Sequence, residues 1–365
     1  LSLGNRQGDY SGRDRQRQRP PAARNTTGGH LHHMADKTYD VVGIGNAIVD
    51  IISRCDEGFL TKHDLDKGFM RLIDADEAGR LYEAMGPAIE RSGGSVANSI
   101  AGLASFGAKC GFIGRVAADQ FGGIFRHDIR SLGIAYTTEP GQDGTPTARC
   151  LVLVTPDGER TMNTFLGASV DFTPADIDAD MISAAKIVYL EGYLFDKEAA
   201  KAAFREASEL AKAAGAKVAL SLSDPFCVDR HRDDFLRLVK EDADIVFANE
   251  KEITTLYEMN TFEEAADEAL QDCELAVLTR SEVGSVIVGE GETTEVPPDP
   301  VAKVVDATGA GDLYASGFLF GLTRGLPLEA CGRLGSLAAS EVISHIGARP
   351  EVNLAELAKE RNLLN

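Results

Sequence analysis

Asp312 follows Gly309, Ala310 and Gly311 in the stretch DATGAGDLYASGFLFGL, which runs from Asp306 to Leu322. Small residues at the mouth of an apolar helix leave its first N–H groups uncovered, beside the positive end of its dipole. Such a mouth is a natural place for an anion. A carboxylate there can complement the dipole, or it can serve as a base beside a bound phosphate cradled by Thr308, Gly309 and Gly311. The residue types alone leave both uses open.

Other polar groups are spaced for binding. Asn46 and Asp50 interrupt the apolar run VVGIGNAIVD four residues apart, which in an extended chain puts both on one face. An amide beside a carboxylate suits a vicinal diol, and capping of a turn would use the same two residues. In RSGGSVANSI, Gly93 and Gly94 let the backbone approach a ligand closely, a helix of small residues is expected from Val96, and Asn98 sits one turn into it, facing the same mouth. A tightly packed strand–helix junction would read the same way. Asn249 and Glu252 in ANEKE follow the strand-like DIVFA and could order metal-bound water near a triphosphate, or cap their own helix.

Two nucleotide fingerprints are absent. Ile48 stands where G-x-G-x-x-G needs its third glycine after Gly43 and Gly45, which counts against a dinucleotide-dependent oxidoreductase. In GLASFGAK, Ala108 stands where a Walker A loop needs lysine.

Composition narrows the class. The 365 residues are 44% hydrophobic and 26% charged, as in a water-soluble globular chain, and no apolar run approaches the roughly 18 residues of a membrane span. The formal net charge is -20, although six arginines give residues 1–33 a net charge of about +4. So acidic a body is poorly suited to nucleic acid, whose phosphates bind through Lys and Arg. The six cysteines have no close pair, so a zinc site or disulfide framework is not expected and a reducing, cytoplasmic setting fits. Residues 1–36 hold few large apolar side chains and read as a disordered extension upstream of a natural start at Met34.

Beyond that segment, short apolar runs (KIVYLEG, KVALSLS, DIVFAN, LAVLTR) alternate with amphipathic stretches such as 197–214, which ends at Gly215. Alternation of this kind implies an α/β domain over 37–365 with a mostly parallel sheet, ligands gathering at the carboxyl ends of its strands. Two segments, about 53–74 and 138–168, break the pattern with hairpin-like signals at Lys67-Gly68 and Pro156-Asp157-Gly158 and are expected to form a small β lid.

Three of these stretches, taken in order, resemble the PfkB, or ribokinase-like, family of carbohydrate and nucleoside kinases: GGSVANSIAGLASFGAKCGFIGRVAADQFG, NEKE and DATGAGDLYASGF. Within it, GIGNAIVDI, FLTKHDLDKGFMRLID and LSLSDPF resemble the adenosine kinases. The resemblance implies a three-layer α/β/α ribokinase-like fold with a mostly parallel central sheet and a small β lid. It implies ATP as phosphoryl donor with Mg²⁺, and adenosine as acceptor, in a monomer or homodimer. Asp312 would be the base and the N–H groups of Gly309, Ala310 and Gly311 the anion hole. Asn46, Asp50, Gly93, Gly94, Ser95 and Asn98 would hold the ribose, with Met70 and Leu72 of the lid on the base and Phe165 or Leu166 nearby. Asn249, Thr279, Gly284 and Thr308 would line the nucleotide site, and Glu252 would reach the metal through water. A free sugar, inosine or guanosine are alternative acceptors within the family. Thr279-Arg280-Ser281 departs from the family's T-x-G, and Asp306-Ala307-Thr308 from its commoner Asp-Thr.

Overall fold

A computed structural model describes residues 37–289 and 291–365, so the expected N-terminal extension lies outside the described residues. The strands in chain order are β1 Tyr39–Ile44, β2 Ile48–Arg54, β3 Met70–Leu72, β4 Ala88–Gly93, β5 Cys110–Ile113, β6 Ala148–Val154 and β7 Arg160–Phe165. There follow β8 Ala185–Glu191, β9 Lys217–Ser221, β10 Ile245–Asn249, β11 Leu275–Thr279, β12 Ser285–Gly289 and β13 Glu292–Val296.

Eight of them form one sheet in the order β13-β12-β11-β10-β9-β8-β1-β5. From β5 to β11 neighbours run parallel, and β12 and β13 add an antiparallel edge. The apolar runs are explained by burial on both faces. Val41, Ile187, Tyr189, Phe247 and Val277 join a core with the helices Ser95–Ser105, Ala310–Thr323 and Leu328–Val342. Their neighbours along the strands, Val42, Val188, Leu190, Val246 and Leu278, join a second core under Glu198–Ala213, Glu250–Tyr257 and Phe262–Asp272. The result is three layers, α/β/α.

The helix Ala310–Thr323 is buried on every side from Leu313 to Gly321. Its small residues permit that. A Cβ on Gly317 would overlap the Leu334 carbonyl of the neighbouring helix, so the glycine sets the closest approach of the two backbones. Phe318, fully buried next to it, packs edge-on against Phe247 of β10, and truncation to alanine costs about 3–5 kcal/mol.

A second sheet of five strands, β3-β7-β6-β2-β4, stands over the carboxyl ends of the first. It draws on both expected lid segments, and on two further strands. β2 enters it because Gly45–Ala47 break the run that starts in β1 and send the chain from one sheet to the other. That break corrects the reading of Asn46 and Asp50 as one extended face: Asn46 is in the link and Asp50 is in β2. β4 is an edge strand with little apolar content, and so gave no periodic signal. The stretch 53–69 holds a helix, Glu57–Lys62, capped by the Asp56 side chain, where strands alone were expected. One face of this sheet packs Val49, Ile51, Leu151 and Leu153 into the first core. Its other face carries Asp50.

Candidate functional site

Four carboxylates converge where the two sheets meet. Asp312 stands in the first turn of the helix Ala310–Thr323, accepting the Ser95 hydroxyl at 2.6 Å on Oδ1 and the Asn98 amide at 3.0 Å on Oδ2. Burial pushes its carboxyl up to about 6, against the opposing pull of those two donors and of the Arg349 charge. The sequence carries a matching conformational demand: Gly309, the N-cap, has φ +81, and a Cβ there would come 2.8 Å from the Ala348 Cβ. Among the described residues no acceptor faces the N–H groups of Gly309, Gly311 or Asp312, and the space beside Gly311 is open. Ala310 differs from expectation, since its N–H points to the Ala307 carbonyl at 3.3 Å, so the uncovered donors are those of Gly311 and Asp312 together with Gly309.

The Asp50 carboxylate accepts no hydrogen bond from any described residue. It lies against Gly93, where a Cβ would overlap its carboxylate. Burial raises its carboxyl to about 6 in spite of the nearby Arg349, Arg160 and Arg91 charges. An unpaired carboxylate beside a glycine is an acceptor waiting for hydroxyl donors.

Asn46 completes that acceptor. Its Nδ2 donates to Glu191 Oε1 at 2.7 Å, which leaves Oδ1 buried without a partner among the described residues. Glu191, at the end of β8, also accepts the Val96 N–H at 2.9 Å, and burial raises it to about 7. Gly94, with φ +103, brings the helix Ser95–Ser105 against the Asn46 carbonyl, and any side chain there would overlap it. Glu191 was missed in the sequence. Its signal was a lone carboxylate closing the apolar run KIVYLEG.

Asn249 and Glu252 form a reciprocal capping box on the helix Glu250–Tyr257. The Asn249 side chain accepts the Glu252 N–H at 2.9 Å, while Glu252 accepts the Asn249 N–H and Nδ2 at 2.9 and 2.7 Å. Burial raises Glu252 to about 7, with Asp224 and Asp312 adding to the rise. The capping reading is therefore realised, and the pair still sits at the carboxyl end of β10, facing the cleft. At the end of β11, Thr279 leads into Arg280 and then Ser281, whose φ is +48. The serine keeps the left-handed turn that a glycine would take in T-x-G, and Gly284 closes the loop at φ +105.

The lid wall differs from expectation. Met70 and Leu72 lie on edge strand β3, 52% and 62% exposed. Register aligns Leu72 with Thr164, Cys150 and Asp50 across three strand spacings, roughly 14 Å. Phe165, next to Thr164, points to the other face, where the Arg149 guanidinium lies 5.8 Å from its ring. Leu166, half-buried, starts the short 3-10 turn after it. The side chains sharing Asp50's face nearer to it are Ile48, Ile52, Cys150, Val152 and Met162, which cluster with Ile346.

A buried ion pair joins the lid to the cradle. Arg160 of β7 lies 2.9 Å from Asp306, which also accepts the N–H groups of Thr308 at 3.0 Å and Gly347 at 2.9 Å. Asp306 thus holds the loop that precedes Gly309.

A β lid standing over carboxyl strand ends, with a carboxylate at a glycine-opened helix mouth, is the arrangement of a sugar or nucleoside kinase. Residues 83–354 match the pfkB family of carbohydrate kinases, and the chain belongs to that family. It has the ribokinase-like fold and is a phosphotransferase acting on an alcohol acceptor. The crystal structure of adenosine kinase from Sinorhizobium meliloti is 52% identical, with a TM-score of 0.81, over 89% of this chain and 99% of that one. A probable sugar kinase protein from Rhizobium etli is 49% identical, with a TM-score of 0.83, over 90% and 100%. The adenosine kinase of Saccharomyces cerevisiae is 28% identical across 85% of this chain and 96% of its own. No helix among the described residues is long and apolar enough to cross a membrane.

Proposed function

We propose that the protein transfers the γ-phosphoryl group of ATP to the 5′-hydroxyl of adenosine. The observation that carries this reading is the pairing of two vacant acceptors, the Asp50 carboxylate and Asn46 Oδ1, with a base and free N–H groups at Asp312. The similarity to adenosine kinases of two organisms supports a nucleoside acceptor, and the similarity to the probable sugar kinase of Rhizobium etli keeps a sugar as the second reading.

The chemistry follows from the groups present. Ribose hydroxyls would donate to Asp50 and Asn46 Oδ1, which fixes the sugar and aims its primary alcohol at Asp312. That alcohol is a weak nucleophile until its proton is removed. Asp312, with a carboxyl near 6, is ionised at neutral pH and still basic enough to take the proton as the O–P bond forms. The leaving ADP keeps the electron pair of the broken bond. N–H groups of Gly309, Gly311 and Asp312 would receive the charge on the equatorial oxygens of the moving group. Thr279, Gly284 and Thr308 would line the nucleotide side.

Among the described residues no group of three His, Cys, Asp or Glu side chains is arranged to hold a metal ion. An ion carried in on the triphosphate would be held through water by Glu252, whose two carboxylate oxygens are oriented by Asn249. When bound, Mg²⁺ supplies charge neutralisation on the β- and γ-phosphates.

Phosphorylation of a free sugar is a second reading, favoured by one observation. Met70 and Leu72, expected over a base, stand far across the sheet from Asp50. ADP release from Mg-ATP, with adenosine, inosine, guanosine, ribose and fructose offered in parallel, separates the two. A kcat/KM highest for adenosine is the expected result; one highest for a free sugar overturns the nucleoside assignment.

A further inference from the structure

Arg349 was not singled out by its neighbourhood in the sequence, yet in the fold its guanidinium is almost fully buried beside the base. Nε donates to Asn98 Oδ1 at 2.8 Å. Nη2 donates to the Ser92 carbonyl at 2.8 Å and to its hydroxyl at 3.1 Å. Asn98 in turn gives its Nδ2 to Asp312 Oδ2 at 3.0 Å. An asparagine amide reads nearly the same both ways round, and only a partner fixes which end faces a carboxylate. With Arg349 holding the oxygen, the nitrogen must face Asp312. The reversed amide would set its oxygen against the Asp312 carboxylate and its NH₂ against the Arg349 Nε–H, a clash of like partners at each end.

Arg349 also keeps a donor unused. Nη1 is buried with no partner among the described residues, a cost that packing alone does not offset. Ser92, the other anchor, is held from behind by Asp128 through both its N–H and its hydroxyl, so the fork grips a fixed point next to Gly93.

We propose that Arg349 is a positioning residue for phosphoryl transfer: by clamping the Asn98 amide against β4, it orients the Asp312 carboxylate toward the acceptor hydroxyl. This rests on the reading of Asp312 as the base. Its charge acts in the same direction. The groups facing Asp312 are Asp50 from β2, Tyr189 and Glu191 from β8, Tyr193 just after β8, Glu252 from the helix Glu250–Tyr257, and Arg349 from the C-terminal turn. Arg349 is the cation of that set, and it draws Asp312 down against burial.

The test compares wild type with Arg349→Met, Arg349→Lys, Asn98→Ala and the Arg349→Met/Asn98→Ala pair, using saturating Mg-ATP and the preferred acceptor. Arg349→Met is expected to lower kcat about 10-fold or more, with acceptor KM changed much less, and to move the acid limb of kcat to higher pH. Arg349→Lys is expected to return the acid limb toward wild type without restoring kcat, because an ammonium cannot fork between Asn98 and Ser92. The pair is expected to match Asn98→Ala alone, since both changes break one chain of contacts. Arg349→Met with wild-type kcat, or a loss additive with Asn98→Ala and an unmoved acid limb, overturns the proposal. Failure of the underlying reading looks different: Asp312→Asn would then retain full turnover in the same assay.

Discussion

Replacing Asp50 by asparagine should make the protein more stable while it destroys acceptor binding. The Asp50 carboxylate has no hydrogen-bonding partner among the described residues, so the amide forfeits none, and the change removes a charge whose burial outweighs the pull of Arg349, Arg160 and Arg91. The sign follows from the raised carboxyl. At about 6 in the fold, against roughly 4 in the unfolded chain, Asp50 holds its proton more tightly when folded. Its contribution to stability is fully present below pH 4 and is lost as pH rises through 6. At about 1.4 kcal/mol per pH unit, the ionised group costs up to about 3 kcal/mol above pH 7, and partial solvent access reduces this to about 1–2 kcal/mol. Asp50→Asn should therefore melt roughly 2–8 °C above wild type at pH 8. At pH 5, where wild type has regained a proton, the gap should shrink by about half. Differential scanning calorimetry at the two pH values reads both numbers. A variant that melts lower than wild type at pH 8, or a gap that ignores pH, refutes the placement of an unpaired, desolvated carboxylate at the acceptor site.

Asp50 and Asp312 together predict a pH–rate profile. Asp50 and Asp312 both lie near 6 and must both be ionised in the free enzyme, so kcat/KM should fall about 100-fold between pH 7.5 and 5, whereas kcat, with Asp50 covered by acceptor, should fall about 10-fold. Initial rates at constant ionic strength check this, and equal slopes for both parameters would contradict it. Gly94→Ala should raise acceptor KM about 10-fold or more and cost about 1–2 kcal/mol in a thermal melt, because its φ of +103 is strained for alanine and the new Cβ overlaps the Asn46 carbonyl. Unchanged KM would show that the close approach of Gly94 to Asn46 does not shape the site.

The parts of this fold that were legible in the sequence are those decided locally. Runs such as KIVYLEG and DIVFAN can only be strands buried on both faces, and the glycines before Asp312 can only open a helix mouth. The rest depends on long-range partners. Nothing between Ile44 and Ile48 announces that three residues carry the chain into another sheet. β4 has too little apolar character to be seen. Arg349 and Asn98 are 251 residues apart, and Arg160 meets Asp306 only when the lid stands over the cradle. A guanidinium in a polar tail carries no local mark of burial. Phe165 illustrates the remaining difficulty: one residue of register separates a side chain facing Asp50 from one facing the helices, and short inserted strands give too few positions to fix it.

The most direct test of the account is single-turnover phosphorylation of adenosine by Asp312→Asn, alongside calorimetric titration with adenosine. If Asp312 is the base at the anion site, the rate of the chemical step falls by about 10²-fold or more while adenosine affinity stays within a few-fold of wild type. A variant that transfers the phosphoryl group at the wild-type rate would contradict the role assigned to Asp312 and with it the mechanism.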